Sequence, residues 1–140
     1  SVKVNELFGI EEYSTVSHMH STIEGKLAKG ENALDLVREC FPPGSMTGAP
    51  KIKAMEICSE LEKNRRGVYS GALGYFDEGG TEGEFSVVIR TLLIKGNKFE
   101  FQVGGGIVYD SQAEKEYEET MIKATPIVAA LGLEKLIREL

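Results

Sequence analysis

Val103-Gly104-Gly105-Gly106-Ile107-Val108 runs almost at once into Asp110-Ser111-Gln112-Ala113-Glu114-Lys115-Glu116-Tyr117-Glu118-Glu119-Thr120. An apolar strand gives way to three glycines and then to a helix dense in carboxylates. Glycine lets backbone approach a ligand closely. Ser111 with Glu114 three positions on has the pattern of a capping box and predicts a helix over about Gln112 to Leu131. On that helix Glu116, Glu119 and Lys123 stand at i, i+3 and i+7, within an arc of about 60°. Bare amides beside two carboxylates and an amine suit an anionic ligand held partly through a divalent cation. Two plainer readings stand beside this one. The helix face can be solvated, with Lys115 pairing to Glu119, and the glycines can serve strand packing or a bulge.

Upstream, Val2 to Leu7 alternates as a strand does. Tyr13 to His20 and Thr22 to Leu27 read as further strands. Lys29-Gly30-Glu31-Asn32 is a turn able to cap a short helix over Ala33 to Cys40, which Phe41-Pro42-Pro43-Gly44 breaks. Ser45 to Pro50 reads as a loop, and Pro50 fits the first turn of the next helix. Ile52, Met55, Cys58 and Leu61 form that helix's apolar stripe. Strands are expected over Val68 to Phe76, Glu84 to Ile94 and Lys98 to Ile107, with turns at Gly79-Gly80 and Gly96-Asn97. Leu133 to Leu140 is expected to add a short helix. The order β-β-β-α-α-β-β-β-α is α+β, an antiparallel sheet covered by helices.

The 140 residues suit one modest domain. No apolar run approaches the roughly 18 residues of a membrane helix. A net charge of −6 argues against nucleic acid as a partner. Cys40 and Cys58 stand singly, which predicts buried free thiols in a reducing cytoplasm and argues against zinc.

Single residues carry both plain and functional readings. Arg90 ends the apolar run Phe85 to Ile89, as either an edge residue with its head in water or an anion fork. Tyr69 alternates with apolar neighbours, as a core residue does. His18 and His20 share a strand face at i, i+2, where metal-free imidazoles are the simpler reading. Lys51 and Lys53 flank a helix start, where lysine does not help the dipole, and this favours an anionic ligand nearby.

Together these residues resemble the C-terminal part of the chorismate-binding family. That family includes component I of anthranilate synthase and of aminodeoxychorismate synthase, and the isochorismate and salicylate synthases. The matching pieces are residues 13–21, Phe41 to Lys51, Arg65 to Gly71, Val88 to Thr91, Gly104 to Val108, and Glu116 to Lys123. They follow the family's order over nearly the whole chain.

The resemblance implies roles. Glu116 and Glu119 match the family's magnesium carboxylates, with Mg2+ bridging them to the ring carboxylate of chorismate. Arg90, Tyr69 and the amide of Gly106, within the run Gly104-Gly105-Gly106, match the groups holding the enolpyruvyl carboxylate. Ser45 matches a hydroxyl position beside the substrate. His18 matches a histidine near the departing hydroxyl, and Lys123 a lysine near the metal helix, so both carry catalytic assignments. The Gly44-to-Lys51 loop resembles the members that take ammonia from a glutamine amidotransferase partner. Its serine and threonine, with three straight glycines, look more like aminodeoxychorismate synthase than anthranilate synthase, which is the alternative. A non-catalytic anion-binding module is a third. The family's other metal-binding glutamates and its lysine-bearing motif match nothing here. The chain is therefore expected to be the C-terminal third of a longer cytoplasmic enzyme, carrying half a metal site.

Overall fold

The computed structural model describes residues 1–13, 17–133 and 135. Among the described residues, three antiparallel strand pairs and four helices follow one another along the chain. They are β1 (Lys3–Glu12), β2 (Ser17–Glu24), α1 (Ala33–Cys40), α2 (Gly44–Thr47), α3 (Lys51–Leu61), β3 (Ala72–Phe76), β4 (Gly83–Val87), β5 (Leu93–Lys95), β6 (Lys98–Glu100) and α4 (Ala113–Ala130). Separate antiparallel pairs and helices make the class α+β. Among the described residues the pairing is β1 with β2, β3 with β4 and β5 with β6, each a two-stranded ladder.

Local chemistry explains the boundaries. Asn32 accepts the N–H groups of Leu34 at 2.9 Å and Asp35 at 3.2 Å, while Asp35 accepts from the Asn32 amide at 3.1 Å. This reciprocal box starts α1 where the sequence places it. Phe41, extended ahead of Pro42, ends it. Lys51 donates to the carbonyls of Cys40 at 3.1 Å and Glu39 at 3.4 Å. Its charge thus serves the C-terminal end of α1 and not an anionic ligand. Lys53 pairs with Glu56 at 2.8 Å.

The β3–β4 turn is organised by Asp77, whose Oδ1 accepts the amides of Thr81 at 2.6 Å and Glu82 at 2.8 Å. The Glu82 amide foremost, then the Thr81 hydroxyl, hold the Asp77 carboxyl below its ordinary value. Gly96 at φ 60° makes the two-residue turn between β5 and β6. Gly132 at φ 67° ends α4, where the Leu133 amide returns to the Val128 carbonyl at 3.0 Å.

The later strands are shorter than the sequence pattern predicts. The stretch expected to open with Val68 begins its ladder at Ala72, because Arg66 to Gly71 folds as turns with Ser70 at φ 66°. Arg90 at φ 52° divides the expected strand Glu84 to Ile94 into β4 and β5. The third strand leaves its ladder at Glu100, and residues 101–107 have no partner strand among those described. The first strand runs further than expected, to Glu12, over two register shifts near Phe8. Residues 14–16 of the expected second strand and nearly all of the expected helix over 133–140 lie outside the described residues.

The core is small. Ala124 and Val128 of α4 are the buried apolar residues among those described. The two ends of the α3 stripe are uncovered, with Ile52 76% and Leu61 75% exposed. Cys40 is exposed and Cys58 half-buried, both as free thiols, so the expectation of buried cysteines does not hold. A compact 15.3 kDa monomer exposes about 7,100 Å². This chain exposes 11941 Å². The excess lies in apolar strand and helix faces, such as Val4, Ile10, Met19 and Ile23 of the first hairpin, all more than half exposed. Produced alone, the 140-residue chain is expected to self-associate and bind a hydrophobic dye. Sedimentation as a monomer without dye binding would contradict this.

Candidate functional site

A cleft of about 460 Å³ gathers most of the residues singled out from the sequence. Its lining includes Ser45 of α2, Tyr69 of the turn before β3, Arg90, the run Gly104-Gly105-Gly106, and Lys123 of α4. Segments nearly eighty positions apart thus meet in one place.

One part of the lining is rich in donors. Arg90 joins none of the ion pairs formed among the described residues. The amides of Gly104, Gly105 and Gly106 donate no backbone hydrogen bond among them either. Tyr69 brings its hydroxyl to the same glycine run, where a Cβ on Gly104 would stand 3.0 Å from it. Unpaired amides, a phenol and an uncommitted guanidinium complement a carboxylate.

The carboxylates of α4 face Gly105. A Cβ there would stand 3.2 Å from Glu116 Oε2 and 4.0 Å from Glu119 Oε1. Ser111 does not cap the helix. Its hydroxyl accepts the Val108 amide at 3.0 Å and donates to Glu116 Oε1 at 2.5 Å. Gln112 takes the cap position without a side-chain bond, so the expected Ser111–Glu114 box is replaced by a bridge from Ser111 to the Glu116 carboxylate. Lys123 pairs with Glu119 and donates to the Gly104 carbonyl at 3.1 Å. The lysine therefore ties α4 to the glycine strand, and it is Lys123, not Lys115, that neutralises Glu119. Among the described residues no third His, Cys, Asp or Glu joins this pair to make a metal cluster.

His18 lies elsewhere. It is exposed on β2, pairs across the ladder with Glu11 and meets Tyr13 edge-on at 5.5 Å. It is not among the residues lining the cleft. Its neighbour His20 bonds Glu6 at 3.1 Å. Among the described residues no group of three or more potential metal ligands includes either histidine.

The sequence reading gave Arg66 no role. In the structure it binds Glu62 through Nε at 2.9 and 3.1 Å and again through Nη2. This pairing holds the Glu62 carboxyl below its ordinary value, and Glu62 raises Arg66 against the opposing effect of partial burial. The i, i+4 spacing of Glu62 and Arg66 was the available signal.

Gly106 stands in open space, and its φ lies outside the left-handed region. A Cβ there would meet no protein atom within 4 Å and would meet no backbone strain. On the role that the resemblance implies, Gly106→Val in the full-length protein should abolish chorismate binding by calorimetry while circular dichroism stays at the wild-type level. Normal binding by the variant would make the glycine run purely structural.

The chorismate binding enzyme model matches residues 1–129. Anthranilate synthase component 1 of Synechocystis sp. is 48% identical over 138 residues, covering 94% of this chain and 27% of that protein. The same-named protein of Thermococcus kodakarensis is 45% identical over 133 residues, covering 95% and 30%. The crystal structure of anthranilate synthase component I from Streptococcus pneumoniae TIGR4 superposes with a TM-score of 0.80 at 41% identity, over 89% of this chain and 28% of that one. A candidate 2,3-dihydroxybenzoate-specific isochorismate synthase from Bacillus anthracis gives 0.83 at 28% identity, over 95% and 36%. The chain spans about a quarter of the length of the curated relatives it matches. No helix among the described residues is long and apolar enough to cross a membrane. An α+β chain that brings Ser45, Tyr69, Arg90, the three glycines and Lys123 to one cleft, matched by this model over residues 1–129 and by these relatives, belongs to the family of chorismate binding enzymes.

Proposed function

We propose that this chain is the C-terminal part of an anthranilate synthase component I. The whole enzyme would convert chorismate and ammonia to anthranilate, pyruvate and water, with ammonia delivered by a glutamine amidotransferase partner in the cytoplasm. One observation carries the chemistry. One cleft holds an uncommitted guanidinium and unpaired glycine amides, and Glu116 and Glu119, outside its lining, face the same glycine run at Gly105. A substrate with two carboxylates fits that pattern, one on the donors and the other held to Glu116 and Glu119 through a cation.

Magnesium fits the donor set. Two hard oxygen ligands one helical turn apart leave most of six positions to waters and substrate, as magnesium prefers. Bound there, it would neutralise the ring carboxylate beside Glu116 and Glu119. Arg90 and Tyr69 would orient the enolpyruvyl carboxylate, and Gly106 would leave room for it. Lys123 would keep Glu119 and the Gly104 carbonyl in register.

The named relatives weigh for anthranilate over the expected aminodeoxychorismate product. The serine-threonine loop and the three straight glycines favour aminodeoxychorismate synthase of folate biosynthesis as a second reading. Incubating the full-length protein with chorismate, magnesium and an ammonium salt should yield anthranilate fluorescence and equimolar pyruvate. An amino-chorismate that accumulates without pyruvate would transfer the assignment to the second reading. Binding without turnover would leave a non-catalytic module.

A further inference from the structure

Arg66 lines the cleft as Arg90 does, yet its guanidinium is fully engaged. Nε faces both oxygens of Glu62, and Nη2 pairs with Glu62 and reaches Cys58 Sγ at 3.6 Å. Nη1 donates to the Met46 carbonyl at 3.0 Å and to Ser70 Oγ at 3.1 Å. An arginine has five N–H donors, and each has an acceptor here. No donor remains for a ligand.

The acceptors lie on separate segments. Met46 belongs to α2 beside Ser45, Glu62 follows α3, and Ser70 follows Tyr69. The carbonyls of Arg65 and Arg66 in turn accept from Gln102 Nε2 at 3.2 and 3.0 Å, which fastens the strand leading into the glycines. Ser70 is 6% exposed and sits at φ 66°. A non-glycine residue holds that conformation where its surroundings over-determine it. The Glu62–Arg66 pair also forms a wall shared between the cleft and a neighbouring cavity of about 530 Å³.

We propose that Arg66 is the positioning residue of the cleft, fixing the Ser45–Met46 turn, the Tyr69 turn and the glycine strand relative to one another and so setting chorismate affinity without contacting the substrate. This rests on the cleft being the chorismate site. A displacement of about 1 Å in such walls can cost up to about a hundredfold in catalytic efficiency.

The test compares the full-length wild type with Arg66→Lys and Glu62→Gln, by chorismate calorimetry and steady-state kinetics. Arg66→Lys keeps the charge but cannot span five acceptors. It should bind chorismate about tenfold more weakly and raise KM correspondingly, with kcat nearly unchanged and the thermal midpoint close to wild type. Glu62→Gln should move affinity the same way, by less. A direct charge contact would be largely restored by lysine, so wild-type affinity in Arg66→Lys overturns the proposal, as does a loss confined to kcat. Should Arg66→Lys not fold, Glu62→Gln is judged by the same criteria. A wild type that binds no chorismate overturns both the proposal and the reading of the cleft.

Discussion

The Glu116→Gln/Glu119→Gln variant of the full-length protein is expected to lose magnesium-dependent turnover while keeping its fold. Both carboxylates face Gly105 from one turn of α4. Glutamine preserves their size and removes both charges. Magnesium binds anionic oxygen far better than neutral amide oxygen, so its affinity should fall by at least about a hundredfold, roughly 3 kcal/mol. The fold tolerates the change for a local reason. Ser111 can still donate to an amide oxygen at position 116, and Lys123 keeps its bond to the Gly104 carbonyl. Activity against magnesium concentration measures the first effect and circular dichroism the second. Retained magnesium-dependent activity would return both glutamates to a solvated helix face.

The second large effect is at Arg90. Arg90→Ala in the full-length protein should weaken chorismate binding by about 2–4 kcal/mol, because a charge-assisted pair to a substrate carboxylate loses one partner. Arg90 is otherwise outside the ion-pair network, so its removal strands no internal carboxylate. Alanine also keeps the Cβ, which leaves the backbone preference at φ 52° nearly as it was and isolates the guanidinium. An unchanged dissociation constant by calorimetry would remove Arg90 from the site.

How far the sequence could be read follows the range of the interactions. The helix over Ala33–Cys40 is legible to the residue because Asn32 and Asp35 settle it within four positions. The Gly96-Asn97 turn is legible for the same reason. The long strands were not. Apolar alternation around Val68 and Ile94 continues through positions where Ser70 and Arg90 take left-handed backbone. At Ser70 that conformation comes with a backbone bond to Val88, eighteen positions on, which propensity does not reveal. Ser111 misled in the same way, since its spacing to Glu114 suits a box but its hydroxyl finds Glu116.

The site shows the same division. Motif order was enough to expect Ser45, Tyr69, Arg90, the glycines and Lys123 together, and the cleft holds them. His18 did not join them, because its hairpin places it against Tyr13 and Glu11. Arg66 is not legible as a hub because its acceptors come from three stretches of chain and the Met46 carbonyl lies twenty positions away.

Arg90 carries a further consequence for how stability and binding trade against each other. A side chain in left-handed backbone costs about 1 kcal/mol relative to glycine. Arg90→Gly should therefore give a full-length protein that melts above Arg90→Ala, although both have lost the same guanidinium. If glycine melts lower, the backbone at this position is unstrained. If it melts higher, position 90 is one where the fold would gain from a residue that the ligand forbids, so a screen for thermostability alone would select against the site.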